Sequence, residues 1–172
     1  MDIRVLFDEN DKLLREVSCL NKAEVENKGL DQDFFDYLCN EYVALHPMLA
    51  TMEIKTIYLG KGIASMRLCP LPQYSSAGGR VHGGIIATLA DCVMGRAMVT
   101  ATGRLCRTLD FNLNFVAGIF ENNELIAEGN VIHAGKTVGL VEGTLFNNEG
   151  KLIAKSRASF IIDNRYPPIW GK

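Results

Sequence analysis

No charge-free apolar stretch in the chain approaches the ~18 residues of a membrane span, and neither sign of charge is in surplus. Eighteen Lys and Arg stand against 20 Asp and Glu, a net charge of −2, without the basic stripe that nucleic-acid binding draws on. The five cysteines, Cys19, Cys39, Cys69, Cys92 and Cys106, are odd in number and widely spaced. They read as reduced thiols, neither a disulfide frame nor a zinc site. Three scattered histidines add no metal spacing. Met1 leads straight into Asp2 and Arg4, which leaves no room for a secretory apolar region, so a cytoplasmic location is expected. At 172 residues, one domain with its own core is expected.

What is present is organised around one stretch, from Gly78-Gly79-Arg80-Val81-His82-Gly83-Gly84 into an apolar pattern that runs to about Ala101. A helix opening near His82 leaves its first N–H groups without intrahelical partners, at the positive end of the helix dipole. That is a site for a carboxylate or a developing oxyanion. At roughly 100° per residue, Gly84, Thr88, Asp91 and Gly95 share one narrow sector, and the surrounding positions are almost all apolar, so the helix is expected to be buried. Asp91 is the only acid between Arg80 and Leu109. A lone carboxylate on such a surface needs polar partners or a chemical task.

Elsewhere the pattern is that of short elements. Residues 1–30 fit either a hairpin around Asp8-Glu9-Asn10-Asp11 or a helix over Asp11–Val17. Asp31–Leu45 carries Phe34, Phe35, Leu38, Tyr42 and Leu45 at helical spacing, ending before His46-Pro47. Strands are expected from Thr51 and over Ile63–Cys69, then a loop over Gln73–Gly79. After the central helix come four strand-like runs, Arg107–Phe115, Leu125–Ala134, Thr137–Phe146 and Lys151–Ile162. In the first, Arg107, Leu109, Phe111, Leu113 and Phe115 alternate with Thr108, Asp110, Asn112 and Asn114, and the Phe111/Phe115 stripe reads as core. The short connections demand antiparallel neighbours. The expected fold is α+β: a curved antiparallel sheet wrapped around one long helix. Residues 1–50 form a helical extension on the same domain, 51–165 the main domain and 166–172 an irregular tail. Its edge strands favour pairing with a second copy.

His82-Gly83-Gly84 with Asp91 nine residues after the His, the alternating strand that follows and the turn Gly135-Lys136-Thr137 resemble the hotdog-fold thioesterases. The branch is the one that includes the phenylacetate-pathway and human acyl-CoA thioesterases. The resemblance covers roughly Thr51 to Ile162. It implies acyl-CoA thioester hydrolysis without cofactor or metal, coenzyme A being part of the substrate. Asp91 would activate water or attack the carbonyl itself. The Gly83 N–H would hold the oxyanion, and the Thr108 hydroxyl would help place the water. His82 is a further catalytic candidate, its alternative being a helix-start residue bonded to backbone. Lys136 and Thr137 would contact the nucleotide or pantetheine, and Gly84 and Arg107 are further binding candidates. Arg104, Lys155 and Arg157 are read beside Arg107 as either a phosphate-binding cluster or a solvated face. Family members often carry Asn or Gln six residues before the His, where this chain has Ser76, with Gln73 nearby as the other stand-in. Sites in the family lie between two protomers, so a homodimer or dimer of dimers is expected, with Asp91 and Gly83 facing each other across the interface. Two other readings share the fold, a non-catalytic acyl-CoA binding or sensing module and a hydratase or dehydratase. The latter usually uses a His on the central helix as its base, where this helix offers only Asp91.

Overall fold

The structure, a computed structural model, describes residues 25–43, 46–121 and 123–170. The hairpin or helix expected before residue 24 lies outside them. The elements in chain order are β1 (Glu26–Lys28), α1 (Gln32–Tyr37), α2 (Pro47–Thr51), β2 (Lys55–Gly60), β3 (Ile63–Leu68), α3 (Gly83–Thr102), β4 (Cys106–Phe115), β5 (Leu125–Ala134), β6 (Val138–Asn147) and β7 (Leu152–Ile162). All strands join one sheet in the order β1-β2-β3-β5-β6-β7-β4, which curls around α3 in the hotdog arrangement that the resemblance implies.

Two boundaries differ from the sequence pattern. The amphipathic run after Asp31, whose carboxylate accepts from the Phe34 N–H, is α-helical only to Tyr37 and continues as a π turn over Leu38–Tyr42. Thr51 ends a helix instead of beginning a strand, because Pro47, with its fixed φ and missing N–H, starts a new helical turn. The sheet is also not purely antiparallel, since β1 adds to its edge parallel to β2.

The twenty residues of α3 are long and apolar enough for a membrane crossing, yet the sheet encloses them: Leu89, Ala90, Val93, Met94, Ala97 and Met98 have no exposed surface. Close approach to the sheet depends on Gly129 of β5, where a Cβ would lie 2.8 Å from the Val93 carbonyl oxygen. The helix ends at Gly103, whose φ of 61° suits glycine and whose carbonyl accepts from the Ile169 and Trp170 N–H groups. This docks the irregular tail, and the Trp170 ring stacks on Phe34 at 5.3 Å.

The apolar pattern of α3 passes over one charge. Arg96 is 3% exposed, donates to the Leu38 carbonyl at 3.2 Å and lies 4.5 Å from the centre of the Tyr42 ring. The guanidinium therefore pins the π turn to the central helix. Burial pushes the Tyr42 phenol well above its ordinary pKa and lowers that of Arg96.

Candidate functional site

β4 is the last strand of the sheet, and among the described residues its outer edge is unpaired. Its pairing with β7 slips between Thr108, opposite Phe160, and Asp110, opposite Ser159, so Leu109 is an extra residue. The slip changes the phase of the strand. Sequence alternation puts Thr108 on the face opposite Phe111, Leu113 and Phe115. The bulge puts all four on the face toward α3, where Phe111 and Phe115 pair with the buried Ala158 and Ala154.

Three contacts follow down the length of α3. The Cys106 thiol approaches the Gly95 carbonyl at 3.6 Å, the Thr108 hydroxyl donates to Asp91 Oδ1 at 2.7 Å, and the Phe115 ring stands over Gly83. Asp91 thus has the polar partner that its apolar helix surface demands. With its hydrogen directed at the carboxylate, the Thr108 oxygen keeps lone pairs to accept from a water. Burial, and the Asp91 charge, push the neighbouring Cys92 and Cys106 thiols up to about 12, so both stay protonated.

At the start of α3, His82 has extended backbone and serves as N-cap, its Nδ1 accepting from the Gly84 N–H at 3.0 Å. An accepting Nδ1 is unprotonated, which places the neutral ring's hydrogen on Nε2. The Ile85 N–H is taken by the His82 carbonyl. Among the described residues, the Gly83 N–H has no hydrogen-bond partner. Of the first three donors of the helix, it is the one left to hold an oxygen.

The other expected residues are spread out. Ser76 Oγ donates to the Arg80 carbonyl at 3.0 Å, inside its own loop, and Gln73 sits exposed in a 3₁₀ turn. Lys136 and Thr137 lie in the β5–β6 turn, 136 accepting from the Asn164 amide and 137 from the Ile162 N–H through their carbonyls. A recess of about 470 Å³ opens beside that turn, lined in part by Thr102, Arg104, Lys136 and Asn164. Arg107 is turned to Asp163 at 3.1 Å. That buried carboxylate also takes two side-chain hydrogen bonds from Arg165, which hold it near pKa 2. The four basic residues are not one cluster: Arg104 donates to the Tyr166 carbonyl, Lys155 to Thr144, and Arg157 pairs with Glu142. Nor is the Phe115 end of the aromatic stripe core, since its ring is 56% exposed. Position in an alternating strand could not reveal this. The ring lies against Gly83, where an added Cβ would come within 3.0 Å of its tip.

Comparison with known proteins finds relatives of the chain. The family model for the thioesterase superfamily matches residues 78–154, from the glycine turn to β7. Human acyl-coenzyme A thioesterase 13 is 30% identical over 107 residues, which span 61% of this chain and 75% of that protein. Among solved structures, the Escherichia coli PaaI protein of the phenylacetic acid degradation operon superposes with a TM-score of 0.66 at 21% identity, over 68% of this chain and 84% of that one. A Streptococcus mutans protein solved with acetyl-CoA bound superposes with a TM-score of 0.61 at 22% identity, over 64% and 88%.

Proposed function

The chain belongs to the thioesterase superfamily, and from that membership we propose that it hydrolyses acyl-CoA thioesters, with Asp91 as general base and the Gly83 N–H as oxyanion donor. The observation that carries the reading is the Thr108–Asp91 hydrogen bond at 2.7 Å, on a helix whose Gly83 N–H is uncommitted. A water accepted between the free Asp91 oxygen and the Thr108 hydroxyl attacks the carbonyl carbon and passes its proton to Asp91. The carbonyl oxygen, now negative, is held at Gly83. The C–S bond then breaks, and the coenzyme A thiolate takes the proton from Asp91. This chemistry calls for no metal or redox group. His82 serves it by fixing the helix start, with its Gly84 bond, and takes no proton.

Within one chain the two parts are too far apart. Eight residues of helix separate Gly83 from Asp91, about 12 Å of rise, whereas donor and base must each come within about 3 Å of one carbonyl or its water. The reading therefore includes a second copy. The outer edge of β4, unpaired among the described residues and with Leu109 exposed at 56%, is the surface suited to a two-fold partner. The β5–β6 turn and its recess are the proposed seat of the coenzyme A moiety, through Lys136, Thr137 and Arg107. Ser76 and Gln73 lie on the loop leading to the helix start. A cytoplasmic location fits this substrate.

Release of free thiol from short, medium, long and aromatic acyl-CoA esters tests the proposal, with wild type beside Asp91→Asn. A loss of orders of magnitude in a folded variant is expected. Binding of coenzyme A without turnover by the wild type would instead support an acyl-CoA binding module, and hydration of an enoyl ester the hydratase reading.

A further inference from the structure

We propose that Phe115 sets the acyl preference of this site, its ring forming the apolar wall against which the acyl group lies beside the carbonyl held at Gly83. The inference rests on the assignment of the Gly83 N–H to that carbonyl. The bulge at Leu109 turns Phe111, Leu113 and Phe115 toward α3. The first two pack against the core, whereas Phe115 reaches the helix start and remains 56% exposed. A Cβ added to Gly83 would lie 3.0 Å from the ring's Cζ, 3.4 Å from Cε1 and 3.6 Å from Cε2. The edge of the ring is thus within van der Waals range of the residue that offers the free N–H.

Beyond the strand end, Phe120 is 48% exposed and carries the Arg80 guanidinium 5.7 Å from its ring centre. An apolar surface beside a lone backbone donor has two effects. It excludes water from the N–H, which strengthens the bond to a developing oxyanion. It also rewards an acyl group that can cover it, since a half-exposed aromatic ring still offers a large apolar area. An acetyl group is too small to cover the ring.

The test is kcat/KM on acetyl-, hexanoyl- and benzoyl-CoA for wild type, Phe115→Ala and Phe115→Leu, with the oligomeric state of each measured alongside. Removing apolar pocket surface of this size shifts discrimination by about tenfold or more. The expected result is that Phe115→Ala lowers the hexanoyl-to-acetyl and benzoyl-to-acetyl ratios by that factor. Phe115→Leu should keep much of the hexanoyl preference and lose more of the benzoyl preference. A uniform fall on all three esters, or unchanged ratios, would overturn the role of Phe115 while leaving the thioesterase reading in place. No turnover by the wild type on any ester would overturn both. Phe115→Leu keeps an apolar side chain on the strand, so the ratios remain readable if the alanine variant fails to fold.

Discussion

A shared site makes a quantitative demand on mixed dimers. Asp91→Asn keeps the shape of the side chain and removes the base. Gly83→Pro removes the one uncommitted N–H and suits its position, because Pro is favoured at the first residue of a helix. The backbone of His82, at φ −62° and ψ 137°, is the conformation a following Pro requires. The cost is at Phe115, whose ring tip would lie 3.0 Å from the new Cβ and has to give by a few tenths of an ångström. Each homodimer should be nearly inactive, Gly83→Pro by about 10²–10³ in kcat, the usual cost of losing an oxyanion donor. In a heterodimer of the two variants, both lesions fall in one site if Asp91 of one subunit works with Gly83 of the other, and the second site is intact. Co-expression with two affinity tags and thiol release from the purified heterodimer reads this out, at about half of wild-type activity per dimer for a two-fold pair. A heterodimer as inactive as its parents would refute the shared site, and with it the argument from 12 Å of helical rise.

Other outcomes follow from particular contacts. Thr108→Val keeps the β-branched shape and removes the donor to Asp91; kcat should fall about tenfold, the lower end for a hydrogen bond to a charged group at a partly open site, and Thr108→Ser should restore most of it. Gly129→Ala forces a methyl to 2.8 Å from the Val93 carbonyl, so chemical denaturation should show a loss of about 1–3 kcal/mol, and unchanged stability would mean that α3 can lift from β5 freely. Arg165 and Arg107 depress the Asp163 pKa to about 2, so its contribution is full above the ordinary carboxylate range and fades as pH falls from about 4 toward 2. Asp163→Asn should flatten the acid limb of a stability-versus-pH curve in that window, and an unchanged acid limb would show that the carboxylate is not held this way.

Much of this architecture is legible in the sequence because its signals are local. Four strands and the long helix follow from period-two and period-3.6 patterns punctuated by Gly-rich turns, and the boundaries shift by one residue or so. The helix start is legible too, since the His-Gly-Gly turn needs only neighbouring residues to form its cap. Asp91 stands out because a lone acid on an apolar helix demands an explanation. What the pattern could not show depends on partners distant in sequence. Arg96 sits inside the domain because the Leu38 carbonyl and the Tyr42 ring, more than 50 residues earlier, receive it. The pairing of Arg107 with Asp163 is equally remote, and without it four basic residues looked like one surface.

The bulge in β4 is the most consequential of these hidden features. Thr108 and Phe115 are seven residues apart, an odd separation, so a regular strand would put them on opposite faces. One extra residue at Leu109 brings both onto the face that meets α3. Without it, a strand in phase for Phe111, Leu113 and Phe115 would turn Thr108 to solvent, and Asp91 would lose its hydroxyl partner. A strand in phase for Thr108 would expose Phe111 and Leu113 and strip the core. The local irregularity is therefore the condition under which the same strand supplies both a polar contact in the middle of the helix and an apolar wall at its start. Sequence alternation, read as one unbroken period, conceals it because Leu109 falls in phase with Phe111, Leu113 and Phe115 and is as apolar as they are. Its 56% exposure, on an edge unpaired among the described residues, is the structural sign that the residue serves the register of the strand and the proposed subunit contact, not the core.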